Sequence, residues 1–139
     1  FLMEKLREIL SDPEFGVELI APLSGRTDVD LLKDIDNQLH AAHFGIVDIS
    51  SRSPNVYIEA GVLIGLGKPV IVIQDEAKEA ALPFNIGSQF TVSYTVEQGE
   101  KPVFEGLEKD LRAGVEAILK SYPSVRRAPR WKAEGFVDA

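Results

Sequence analysis

Glu59 is the one charged side chain in the apolar run Val56-Tyr-Ile-Glu-Ala-Gly-Val-Leu-Ile-Gly-Leu-Gly67. Written as a helix, that run has no polar face on which a carboxylate could rest. Asn55 stands one turn before Glu59, and Leu63 and Leu66 follow on the same stripe. A carboxylate among apolar neighbours is costly unless it is paired or used. Glu59 is therefore a candidate functional group, able to attack an electrophilic carbon or to stabilise positive charge developing beside it. The competing reading is a carboxylate near a helix start that faces solvent at the edge of a sheet. Asp48 is the second candidate acid. It closes the apolar stretch Phe44-Gly-Ile-Val-Asp48, and such a residue either lines a site or simply ends a strand. Arg26, in the loop Ser24-Gly25-Arg26, offers a guanidinium fork to a phosphate, or else is a solvated loop cation.

The elements that must position these residues alternate along the chain. Residues 1–11 read as an amphipathic helix with Leu2, Leu6, Ile9 and Leu10 on one stripe, broken at Asp12-Pro13. Residues 16–23 read as a strand. Thr27, with Asp30 three residues on, has the spacing of a capping box for a helix that buries Leu32, Ile35, Leu39 and Ala42. Residues 44–49 form the next strand. Ser53 caps a helix with Pro54 at its first position, and Gly67 ends it in the C′ role. Residues 69–73 read as a strand covered on both faces, 89–96 as an alternating strand, and Phe104, Leu107, Leu111, Val115, Ile118 and Tyr122 as the stripe of a last helix. Such alternation with short loops predicts an α/β fold: a parallel sheet between two helical layers. Ligands of such sheets bind beyond the carboxyl ends of the strands, where residues 22–26, 48–55 and 74–76 would converge, with Glu59 at the edge of the same cleft.

Length and composition bound the rest. The 139 residues fit one domain, assigned to residues 1–122 with 123–139 as a C-terminal tail. A net charge of −7 argues against a nucleic-acid surface. The chain has no cysteine, hence no disulfide and no thiolate chemistry, and no apolar run approaches the ~20 residues of a membrane span. The expectation is a cytoplasmic protein with no leader. His40 and His43, three apart near a helix end, are explained by the helix dipole more cheaply than by a metal, so no metal site is expected. Gly61 and Gly65 are expected to allow close packing of helix on sheet. Arg126, Arg127, Arg130 and Lys132 around Trp131 could clamp a phosphate, although a loosely docked tail is the simpler reading.

Several of these residues together resemble a known group. Asp48, Asn55-Val56, Glu59, Gly61 and Gly67-Lys68-Pro69-Val70-Ile71, followed by Leu82-Pro83-Phe84-Asn85-Ile86 and Tyr94, resemble the TIR-like and nucleoside 2-deoxyribosyltransferase-like domains. The resemblance spans about residues 16–119. It implies a flavodoxin-like three-layer αβα sandwich and cleavage or transfer at an N-glycosidic bond of a nucleotide or nucleoside, with NAD a candidate substrate and no resident cofactor. Glu59 matches the glutamate that attacks the sugar or supports its developing charge, and Asp48 joins it as the second catalytic acid. Ser24, Gly25, Arg26, Ser50 and Asn55 are the substrate-binding candidates. Pro54-Asn55 stands where the transferases carry Gly-Thr, so the TIR-like branch fits better, while His43-Phe44 and Asn85 depart from its pattern. The resemblance also implies a first strand before residue 1, so the sheet is expected to lack it. Two further readings stay open: a non-catalytic nucleotide-sensing module, and a self-associating signalling module, in keeping with a homodimer.

Overall fold

Leu6, Ile9 and Leu10 recur at helical spacing and form the buried stripe of α1 (Leu2–Leu10), while Glu4, Arg7 and Glu8 face water. Each such side chain contributes about 2 kcal/mol by leaving water. The computed structural model describes residues 1–20, 37, 39–50, 54–78, 90–121 and 131–136, the last segment by its backbone. The helix expected over Thr27 to Ala42 falls mostly outside these residues; its end, residues 39–41, is helical, with Leu39 and Ala42 buried.

The remaining elements follow in order. They are β1 (Val17–Ile20), β2 (Phe44–Asp48), α2 (Pro54–Gly65), β3 (Val70–Asp75), β4 (Phe90–Glu97), β5 (Val103–Glu105), α3 (Leu107–Ser121) and β6 (Trp131–Phe136). The strands make one sheet in the order β1-β6-β2-β3-β4-β5. Every pairing is parallel except that of β5 with β4. The expected α/β class therefore holds: a mostly parallel sheet with helices on both faces, compatible with a flavodoxin-like sandwich.

The alternation of β2 and β3 sorts their side chains into two cores. Phe44, Ile46, Ile71 and Ile73 pack with α1 and α3, through Leu6, Leu10, Leu111, Val115 and Ile118. Val47, Val70 and Val72 pack on the other face with Val56, Ala60 and Leu63 of α2 and with Leu39. On the first face Arg112 ties α3 to the turn that follows α1. It donates to Asp12 at 2.8 Å, lies 3.5 Å from Glu108, and stacks over the Phe15 ring at 5.3 Å. That guanidinium holds the Asp12 carboxyl below its usual range.

α2 ends as its sequence predicts. Gly67 has φ +73°, its N–H donates to Ile64 O at 2.9 Å, and the Lys68 N–H donates to Leu63 O at 3.0 Å, a Schellman turn. Lys68 then reaches the other helical end on this face, its Nζ donating to the carbonyls of Leu39 and His40. The Gly-Lys-Pro motif is thus accounted for structurally, as one helix stop and the cap of another.

Three expectations need correction. Gly61 and Gly65 do not serve close packing on the sheet, because a Cβ at either would meet nothing within 4 Å. They lie on the outer side of α2, beside Ile58 (63% exposed) and Leu66 (40% exposed). The close approach occurs instead at Gly114 of α3, where a Cβ would stand 3.4 Å from Ile71 Cδ1. Phe104 belongs to β5 rather than to the last helix, because Gly106, at φ +82°, turns the chain before Leu107. Finally, residues 131–136 are not a loosely docked tail. They form β6, an interior strand of the sheet between β1 and β2. Main-chain pairing on both sides holds a strand there despite the polar residues Lys132 and Glu134.

Candidate functional site

β2 and β3 are buried almost throughout, yet each ends in an aspartate that is itself buried: Asp48 and Asp75 are both 7% exposed. The register pairs Asp48 with Ile73 and Asp75 with Tyr94, so the two acids lie at the carboxyl edge of three neighbouring parallel strands. Period-two alternation puts Asp48 on the face of Phe44 and Ile46, and Asp75 on the face of Ile71 and Ile73. Tyr94, 4% exposed, comes up on that same face from β4.

The four polar groups interlock. The Tyr94 hydroxyl donates to Asp48 Oδ2 at 2.9 Å, and the Ser50 N–H donates to Asp48 Oδ1 at 2.9 Å. The Ser50 hydroxyl accepts from the Asp75 N–H at 2.8 Å, joining the ends of β2 and β3, and lies 3.5 Å from the Tyr94 oxygen. Asp75 Oδ1 accepts from the Ala77 N–H at 3.0 Å, which fixes the single 3-10 turn that follows β3. The Tyr94 ring meets Phe104 edge-on, 5.8 Å between centroids. Burial pushes the Tyr94 phenol well above its ordinary value, and the Asp48 and Asp75 carboxylates push it further, so it stays a neutral donor.

Among the sequence candidates, Asp48 and Ser50 are brought together here, with Asp48 as the acceptor of two protein donors. Glu59 is half-buried on α2, the helix that covers the opposite face of the sheet. It stands five residues in from Pro54, about 7.5 Å along the axis at 1.5 Å per residue. Asn55 lies in the first turn of α2. Ser24, Gly25 and Arg26 lie outside the described residues.

Sequence reasoning did not number Asp75 and Tyr94 among the site residues. Asp75 carried a signal, since it closes the apolar run of β3 as Asp48 closes that of β2. Tyr94 carried none locally, because its partner is 46 positions away.

Among the described residues, no group of three or more His, Cys, Asp or Glu could hold a metal ion, and no helix is long and apolar enough to cross a membrane. A groove of about 900 Å³ lies away from the cluster, between α1, β5 and the start of α3, bordered by charges of both signs such as Lys5, Glu8, Lys101 and Glu108. No protein-family model matches the chain, and no curated protein and no solved structure is similar to it.

Proposed function

We propose that the chain binds a nucleotide or nucleoside derivative at the carboxyl edge of its sheet and cleaves or transfers at the N-glycosidic bond with Glu59. The observation that carries this reading is the buried cluster of Asp48, Ser50, Asp75 and Tyr94 at the ends of otherwise apolar strands. Two buried carboxylates are costly to maintain, and the carboxyl edge is where ligands of such sheets bind. Each carboxylate oxygen has two acceptor sites, so Asp48 retains capacity for sugar hydroxyls after accepting from Tyr94 and Ser50. Among the described residues, Asp75 Oδ2 meets no donor.

In the reaction the bond from the anomeric carbon to the base nitrogen breaks, and its electron pair leaves with the base. The Glu59 carboxylate either forms an ester with that carbon or faces the positive charge that builds on the sugar. Water or an acceptor base then adds to the carbon, and the proton it loses passes to Glu59 or to solvent. Asn55, one turn before Glu59, orients the carboxylate or a sugar hydroxyl.

A second reading, a nucleotide-sensing module without catalysis, is favoured by one observation: both oxygens of Asp48 already accept from the protein, while Glu59 rides on the helix of the opposite face. Incubation of wild type and Glu59→Gln with NAD and a panel of nucleosides, followed by chromatography for free base, separates the two. Base release that disappears in Glu59→Gln supports glycosidic chemistry. Thermal stabilisation of both proteins without release supports sensing, and neither effect removes the nucleotide reading.

A further inference from the structure

Asp48 and Asp75 are buried acids in neutral company. They hold diagonal positions on one face of the sheet: Asp48 is level with Ile73, and Asp75 lies two residues further along β3. Among the described residues their donors are the Tyr94 hydroxyl, the Ser50 N–H and the Ala77 N–H, none of which carries a charge. The basic side chains whose partners are described serve elsewhere: Lys5 and Arg112 on Glu8, Glu108 and Asp12, and Lys68 on backbone carbonyls. Asp75 is the sharper case. Its N–H goes to Ser50 Oγ and its Oδ1 accepts from Ala77, but its Oδ2 meets no described donor although the residue is only 7% exposed. Asp75 is the register neighbour of Tyr94, and the charges of both acids reach the Tyr94 hydroxyl, so the two carboxylates converge on one point. Buried charges are held by an opposite charge or by a metal ion, because neutral donors return only part of the lost hydration. Ser50 and Tyr94 close the cluster from the side, both buried. An ion enters such a cluster where a larger cationic group would have to part it.

We propose that Asp48 and Asp75 bind one divalent cation of the Mg²⁺ class, through Asp75 Oδ2 and a lone pair that Asp48 keeps beyond its two donors. Mg²⁺ suits this set. It takes oxygen ligands about 2.1 Å away, is held by one or two carboxylates, and keeps waters on its other positions. Two carboxylates with water complete such a site without a third acid or a histidine, and none joins them among the described residues. The bound ion also changes what the carboxyl edge accepts: its water-held positions are open to anionic oxygens, which two bare carboxylates repel. The inference concerns the protein without nucleotide, so it stands or falls separately from the glycosidic reading.

Unfolding of the intact chain in MgCl₂, against NaCl at matched ionic strength, tests this. Saturable stabilisation by Mg²⁺ alone is expected, with the unfolding equilibrium constant lowered about elevenfold at a concentration ten times Kd. Equal effects of the two salts would be charge screening on a chain of net charge −7 and would overturn the proposal. Asp75→Asn keeps the shape of the side chain and an acceptor for the Ala77 N–H while removing the charge. It should weaken Mg²⁺ binding at least tenfold, and in Mg²⁺-free buffer it should melt no lower than wild type, because a charge without a counter-charge is gone. A variant that melts lower than wild type by the same amount with and without Mg²⁺ would give Asp75 a structural role only and overturn the site. Mn²⁺ supplies a measurement that needs no variant. At substoichiometric amounts it should broaden the amide NMR signals of residues 48–50 and 75–77 first; broadening that begins instead at the exposed acids Glu97, Glu100 or Glu108 would overturn the proposal.

Discussion

Removing one hydroxyl, Tyr94→Phe, probes the centre of the candidate site. The substitution keeps the ring and its edge-on contact with Phe104, so packing is preserved and the polar cost is isolated. It deletes the donor to Asp48 Oδ2 at 2.9 Å. The acceptor is a carboxylate 7% exposed, with little water to replace the lost partner. A buried hydrogen bond to a charged group contributes about 1.5–3 kcal/mol, so the expected loss is about 2 kcal/mol. At about 2.1 cal/mol/K per residue, a chain of 139 residues unfolds with an entropy near 0.29 kcal/mol/K, and the loss lowers Tm by about 7 °C. Urea titration of wild type and variant, with an unchanged m-value, gives the free energy directly. The control is a double-mutant cycle with Asp48→Ala. In that background the hydroxyl has lost its acceptor, and Tyr94→Phe should cost less than about 0.5 kcal/mol. Equal costs in the two backgrounds, or a cost below about 0.5 kcal/mol in wild type, would refute the claim that this hydrogen bond holds the cluster together.

Other outcomes follow from the same geometry. The Tyr94 phenol titrates above its ordinary value in the folded chain, so its contribution is full below about pH 10 and is lost as pH rises further, at up to about 1.4 kcal/mol per pH unit. Urea titrations at pH 9 and 11 should show a steeper loss for wild type than for Tyr94→Phe. Gly61→Ala and Gly65→Ala should each stabilise by about 0.5–1 kcal/mol, since both are helical and a Cβ at either meets nothing, whereas Gly67→Ala, at φ +73°, should destabilise; thermal melts of the three variants decide. Lys68→Met should cost about 1–2 kcal/mol by stripping the charged donor from the Leu39 and His40 carbonyls, read by the urea midpoint.

Much of the scaffold is legible in the sequence, for identifiable reasons. β2 and β3 are short continuous apolar runs, a pattern that covered parallel strands produce, and α2 carries both its proline start and its glycine stop. Asp48 and Ser50 could be found because they interrupt such a run where a sheet of this kind opens. β6 was hidden because Trp-Lys-Ala-Glu-Gly-Phe has no β-branched residue and four weak strand formers, and its interior place is set by main-chain pairing to two strands remote in sequence. β5, three residues long, lies below the length at which alternation can be seen. Tyr94 reads as an ordinary strand aromatic, and only the fold reveals that its hydroxyl meets Asp48.

The interior place of β6 also bears on how the protein comes to be folded. β1 has no strand partner among the described residues other than β6, and the register joins Val17 to Trp131, positions 114 apart in the chain. Pairings of such long sequence separation pay a large loop-closure entropy before any contact rewards it, and they slow folding. On a ribosome, synthesis at ~5–20 residues per second keeps β1 waiting some seconds for the strand beside which it belongs. Throughout that interval the facing edges of β1 and β2 are templates open to any other chain in extended form. The yield of native protein should therefore depend on chaperone supply and on the density of nascent copies more steeply than the stability of the finished fold would suggest.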